Sequence, residues 1–238
     1  MEDSGHCHGH ASPMVGFAEL VLRTVYCRPM TQASAISGLY IITTPHTAGR
    51  QALVAATAAA LRGGACCVQY RDKSSDDGRR RQEAAELMAV THRHGGCFIV
   101  NDDIELAAAV GADGVHLGRD DAPIRRARQR LGPHAVIGVS CYNELARGDW
   151  ALAEGADYLA FGSAFPSPTK PSAVRADPAF LARARQRFDR PVVAIGGITA
   201  DNAGLLAEAG IDAIAVISAV YDADDPEGAA RELKAALG

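Results

Sequence analysis

The run Cys97–Phe98–Ile99–Val100–Asn101–Asp102–Asp103 decides how the chain folds. Uncharged, mostly apolar residues pass directly into an amide and two carboxylates, between Gly95–Gly96 and a helical pattern that starts at Ile104. A short apolar run bounded in this way reads as a strand of a parallel sheet buried on both faces. Its polar tip then falls at the carboxyl end of the strand, where parallel sheets and barrels gather their chemistry.

The same alternation continues in both directions. Strands are expected at 39–43, 65–70, 98–100, 114–117, 136–139, 158–161, 192–195 and 213–217. Helical patterns separate them at 48–61, 79–92, 104–110, 124–131, 145–154 and 201–209. Asp177–Pro178 and Asp225–Pro226 each place a capping residue before a proline at the first helical position, opening two further helices. Strands alternating with helices imply parallel βαβ units, and eight of them fill the chain from residue 38. Gly63–Gly64–Ala65, Gly111–Ala112–Asp113, Gly155–Ala156–Asp157 and Gly210–Ile211–Asp212 precede every second strand. That recurrence favours an α/β fold closed as a single-domain (β/α)8 TIM barrel over residues 38–238. An open doubly wound sheet is the competing fold, and the missing glycine-rich dinucleotide fingerprint after the first strand argues against it. Residues 1–37 show no steady period and are expected to form a flexible leader. Their His6, Cys7, His8 and His10 could bind a transition metal, but a terminal tract lacks a scaffold to fix ligand geometry.

Composition narrows the function. The 238 residues are 48% apolar and 22% charged with a net charge of −4, which supplies no basic field for nucleic acid or an anionic membrane. No segment has the length and apolarity of a transmembrane helix, no secretory signal is visible, and a cytoplasmic location is expected. The six cysteines include no CxxC pair; Cys66, Cys67 and Cys97 sit in apolar runs, which points to buried thiols in a reducing compartment.

In a barrel the eight strand ends face one another, so their polar residues belong together. Gln69, Arg71 and Lys73 alternate after the second strand and are expected to point into the mouth, where two cations and an amide suit an anionic ligand. The competing reading is a solvated strand end paired with Asp72, Asp76 and Asp77. Asn101 and Asp102 follow the third strand; His116, and then Asp120 and Asp121, follow the fourth. Carboxylates from two neighbouring strand ends beside Lys and Arg make a site for Mg2+ that also holds phosphate oxygens. Asp103 fits the cap of the next helix instead. Ser140–Cys141–Tyr142 ends the fifth strand. After the sixth, prolines stiffen a loop carrying Ser167, Thr169 and Lys170. Gly196–Gly197 and Ile217–Ser218, at the seventh and eighth strands, match the usual phosphate site of barrels. The sum is two anionic subsites, one suited to pyrophosphate and one to a monophosphate. No nucleophilic triad or activated cysteine is evident, which favours catalysis by stabilising a leaving group.

These residues resemble a known family. Gln69–Tyr70–Arg71–Asp72–Lys73, Val100–Asn101–Asp102, Gly111 to Gly118 with Asp121, Phe161–Gly162 through Thr169–Lys170, and Ala194 to Ile198 together look like thiamine-phosphate synthase. The resemblance implies a transferase of thiamine biosynthesis. It would join 4-amino-5-hydroxymethyl-2-methylpyrimidine diphosphate to 4-methyl-5-(2-phosphoethyl)thiazole and release pyrophosphate. By position it implies Gln69, His116 and Ser140 around the pyrimidine, and Arg71, Lys73, Asn101 and Lys170 on pyrophosphate. Asp102 and Asp121 would hold Mg2+, and Ser167, Thr169, Gly197, Ile217 and Ser218 the thiazole phosphate. The chain departs from the family pattern at Ser167, where a threonine is usual, and at Cys141–Tyr142, where many members carry Thr-His. A thiazole tautomerase of the same barrel family and a non-catalytic thiamine-phosphate-binding protein are the alternatives. Retention of Arg71, Lys73, Asp102, Asp121 and Lys170 favours the synthase. The sequence assigns no oligomeric state.

Overall fold

A computed structural model describes residues 36–44, 49–121, 123–166 and 174–238. Eight parallel strands pair in sequence order: β1 (Gly38–Ile42), β2 (Ala65–Tyr70), β3 (Cys97–Asn101), β4 (Gly114–Leu117), β5 (Val136–Tyr142), β6 (Tyr158–Gly162), β7 (Val192–Ile195) and β8 (Ala213–Val216). β8 pairs back onto β1, closing the barrel that the sequence pattern predicts. Around it run α1 (Arg50–Arg62), α2 (Asp77–Arg93), α3 (Ile104–Val110), α4 (Ile124–Leu131), α5 (Leu145–Ala153), α6 (Pro178–Arg187), α7 (Ala200–Glu208), α8 (Ser218–Tyr221) and α9 (Pro226–Ala235). Among the described residues no helix is long and apolar enough to cross a membrane.

The strands are apolar throughout because both of their faces are buried. One parity packs against the helices, as Val68, Phe98, Val115, Ile137 and Leu159 do. The other fills the barrel with Tyr40, Cys67, Cys97, Ile99, Tyr158 and Val193, and Ile36 joins this inner cluster from within the span expected to be a leader. The four described cysteines, Cys66, Cys67, Cys97 and Cys141, are free thiols.

The recurring turn has a structural task. Asp113 accepts the N–H of Phe98 at 2.7 Å and the Nε2 of His92 at 2.8 Å. Asp157 accepts the N–H of Ile137 and a guanidinium N–H of Arg128, and Asp212 the N–H of Val192 with Arg185 beside it. Each aspartate also donates its own N–H to the carbonyl of the same strand residue. A carboxylate from one strand thus clasps the foot of the strand before it. The structure moves the first copy of the motif by one residue, to Gly64–Ala65–Cys66. Gly64, Gly111, Gly155 and Gly210 all have positive φ, the backbone this turn requires. Cys66 stands in the aspartate position, with its Sγ–H directed at the carbonyls of Ser37 and Leu39.

Element boundaries shift where local bonds decide them. α2 starts at Asp77, earlier than its apolar spacing suggests, because Asp76 accepts the N–H of Arg79. β5 runs on to Tyr142 through an irregularity at Cys141, where its register with β6 slips. Asp103 and Asp177 cap α3 and α6 as expected. Asp225 precedes the proline that starts α9, but its side chain accepts no capping bond. The short helix α8 was not foreseen; it directly follows β8.

Candidate active site

Inside the upper half of the barrel the apolar filling gives way to a chain of polar groups. Gln69 Nε2 donates to the Tyr40 hydroxyl at 2.7 Å, and that hydroxyl lies 3.0 Å from the hydroxyl of Tyr158. Tyr158 is 2.9 Å from Nδ1 of His116, whose Nε2 is 2.9 Å from Ser140 Oγ. Five residues from β1, β2, β4, β5 and β6 therefore share one network, and its buried polar atoms satisfy one another. Burial lowers the His116 pKa to about 4 against the opposing charge of Asp121, so its ring is neutral at physiological pH. Both tyrosines are held protonated, chiefly by burial.

Above this floor, Asp102 and Asp121 converge from the ends of β3 and β4. Burial first, and then hydrogen bonding with Asp102, raises the pKa of the Asp121 carboxyl. Lys73 Nζ lies 3.2 Å from Asp102 Oδ2, and the N–H of Gly118 donates to Asp121 Oδ2 at 2.5 Å. Asp102 adopts φ +62°, which costs a side-chain-bearing residue about 1 kcal/mol or more. Its N–H donates to the His116 carbonyl at 2.8 Å, which fixes it in that conformation. Two adjoining carboxylates beside a cation can hold a hard divalent ion that takes its remaining ligands from water and phosphate. Among the described residues no cluster of three or more His, Cys, Asp or Glu offers a complete protein cage.

The expected alternation of Gln69, Arg71 and Lys73 does not extend along one strand. β2 ends at Tyr70; Gln69 lies within the barrel at 3% exposure, and Arg71 and Lys73 belong to the following loop. The acidic neighbours are engaged elsewhere. Asp72 pairs with Arg79 at 2.6 Å, Asp76 caps α2, and Asp77 pairs with Arg80. Arg71 has its backbone N–H on Thr43 Oγ1 and, among the described residues, makes no side-chain ion pair. Asn101 closes β3 in register with His116, half-buried at the same rim.

On the other side, Gly197 follows β7 with φ +64°, seated against the carbonyls of Phe165 and Pro166, where a Cβ would fall 2.4 Å from the Pro166 oxygen. Asn202 donates to the Gly197 carbonyl while completing a capping box with Thr199 at the start of α7. Ile217 and Ser218 lead from β8 into α8. Ser167, Thr169 and Lys170 lie outside the described residues, as do His6, Cys7, His8 and His10. Sequence reasoning passed over Tyr40 and Tyr158, which the apolar pattern absorbed. The signal was there, since a tyrosine in an otherwise apolar run must find a partner for its hydroxyl.

The chain is similar to known proteins. A family profile described as thiamine monophosphate synthase matches residues 39–220. A thiamine-phosphate synthase of Halorhodospira halophila is 54% identical over 204 residues, covering 86% of this chain and 96% of its own. One of Thiobacillus denitrificans is 59% identical over 150 residues, 63% of this chain and 71% of its own. The solved thiamine phosphate pyrophosphorylase of Pyrococcus furiosus superposes with a TM-score of 0.77 at 36% identity, over 87% of this chain and 96% of that one. With the barrel, the paired carboxylates and these similarities in agreement, the chain belongs to the thiamine monophosphate synthase family of transferases.

Proposed function

We propose that this protein joins the pyrimidine diphosphate to the thiazole phosphate, releasing pyrophosphate and forming thiamine phosphate. The observation that carries the reading is the convergence of Asp102, Asp121 and Lys73 directly above a buried polar floor. In this reading Asp102 and Asp121 hold Mg2+, which when bound neutralises charge on the departing pyrophosphate. The donor set fits: two carboxylates, with the other positions left to water and substrate oxygens.

The chain's own residues supply the rest. Lys73, Arg71, Asn101 and Lys170 take the diphosphate oxygens, so the electron pair of the breaking C–O bond leaves with a group already stabilised. Gln69, His116 and Ser140 present amide, neutral imidazole and hydroxyl to the aminopyrimidine. A neutral His116 adds no positive charge beside the carbon that becomes electron-deficient. Gly197, Ile217, Ser218, Ser167 and Thr169 hold the thiazole phosphate so that its ring nitrogen can form the new C–N bond. A thiazole tautomerase has no use for a paired-carboxylate site beside Lys73, and a binding protein has none for strained Asp102.

The test measures pyrophosphate release with both substrates, with each omitted, and with Mg2+ removed by chelation. Release that needs the metal and both substrates supports the reading. Thiazole isomerisation without pyrophosphate would replace it with the tautomerase, and binding without any turnover would replace it with a carrier.

A further inference from the structure

Arg147 occupies the third position of α5, where a cation faces the positive end of the helix and is disfavoured. Helix stability therefore does not account for it. Its side chain turns away from solvent to bridge two strands. Nε donates to the Ser140 carbonyl at 2.7 Å, and a terminal N–H donates to the Gly118 carbonyl at 3.1 Å. Ser140 is the last residue in register before the β5–β6 slip, and Gly118 is the residue whose N–H holds Asp121. The guanidinium lies 5.9 Å from the ring centre of Tyr142 and 5.2 Å from that of Trp150. Tyr142 has φ +57° and carries Arg119 4.8 Å from its ring centre. Tyr142 is one of the residues at which the chain departs from the family pattern.

We infer that Arg147 is a positioning residue for the reaction proposed above, on which this inference rests. It ties the end of β4, which carries the Asp121 carboxylate, to the end of β5, which carries the Ser140 hydroxyl. The metal subsite and the pyrimidine subsite are thereby held at a fixed spacing. The planar fork holds its donors in one fixed geometry between the two carbonyls; a lysine ammonium is a compact donor on a flexible stem and does not fix that spacing.

The test compares Arg147→Met and Arg147→Lys with the wild type. It reads Mn2+ binding to substrate-free protein by electron paramagnetic resonance, the separate KM values of the two substrates, kcat, and the thermal midpoint. Both variants should lose about tenfold or more in Mn2+ affinity and in kcat/KM for the pyrimidine diphosphate, as expected for groups that orient metal ligands. KM for the thiazole phosphate, bound across the barrel, should hold, and lysine should not rescue. Unchanged Mn2+ affinity and pyrimidine KM, whatever the melting temperature, would overturn the inference and leave Arg147 a purely structural clamp. If the methionine variant does not fold, the lysine variant decides. A wild type that binds Mn2+ but releases no pyrophosphate would overturn the proposed reaction, while the Mn2+ affinities would still settle whether Arg147 orients Asp121.

Discussion

At the amino-terminal end of the barrel Asp157 and Asp212 each face an arginine and a backbone N–H, and Asp113 a histidine ring and a backbone N–H, whereas at the carboxyl-terminal end Asp102 and Asp121 face each other. The residue type is the same and the surroundings are opposite. Below, each carboxylate meets a backbone N–H and a basic side chain, contacts that stabilise the fold. Above, two like charges are held together with Lys73 as the nearest cation, and one residue is kept in a left-handed conformation. Such an arrangement costs stability and is retained where the surroundings enforce it for another purpose. In barrels generally the lower face serves stability and the upper face chemistry, and the proposed function divides these five aspartates along that line.

The largest effect should come from breaking the upper pair. If the proposed function holds, Asp102→Ala should cut turnover about a thousandfold, roughly 4 kcal/mol in the barrier, because the proposed Mg2+ site loses a ligand. Its thermal midpoint should stay about level, since a like-charge contact is removed while the left-handed φ, held by the bond to the His116 carbonyl, remains. Steady-state kinetics beside thermal denaturation check this. A midpoint falling as far as that of a lower-end variant would erase the distinction between the ends.

The lower end should give the mirror image. Asp157→Ala breaks a pair with Arg128 and orphans the Ile137 N–H at a side chain only 8% exposed, and should cost about 3 kcal/mol in urea unfolding. The kinetic constants of the folded fraction should not move. The effect should shrink along the series to Asp212, 26% exposed, and to Asp113, 37% exposed, where water screens the partner. Equal losses at all three would show that the backbone bond, common to the series, and not the cation sets the size.

Much of this division could be read before any coordinates. Strands buried on both faces leave continuous apolar runs, so the barrel stood out, and a carboxylate straight after such a run marked the rim at Asp102. What escaped depended on partners distant in sequence. The Tyr40 and Tyr158 hydroxyls meet across 118 positions, and in a pattern of apolar residues tyrosine looks like any other. Arg147 sits in a first helical turn, where a cation reads as solvated; only the carbonyls of two other strand ends give it a task. The first copy of the turn motif was aligned one residue early because Cys66 replaces the aspartate, leaving a pair of glycines as the only guide. Asp225 had the right spacing for a cap, and spacing does not fix where the carboxylate turns.

The smallest effect is also the one that separates the two ends without changing a catalytic constant. Because the Asp121 carboxyl has a raised pKa in the folded protein, metal-free protein holds its proton more tightly folded than unfolded. The stability contributed is fully present below the ordinary carboxylate value of 3.8 and is lost as pH rises through the folded value. Asp102 supplies the hydrogen bond and the neighbouring carboxylate that help raise that value, so replacing either aspartate should flatten the slope. Urea unfolding of chelator-treated protein across the acid range, for wild type and Asp121→Asn, measures it. Added Mg2+ should abolish the same slope by supplying the positive charge that the proton otherwise provides, and the Asp157→Ala protein should keep it. A wild-type slope indifferent to both Mg2+ and Asp121→Asn would mean that the upper carboxylates repel too weakly to matter, and the contrast between the two ends would then rest on their hydrogen-bond partners alone.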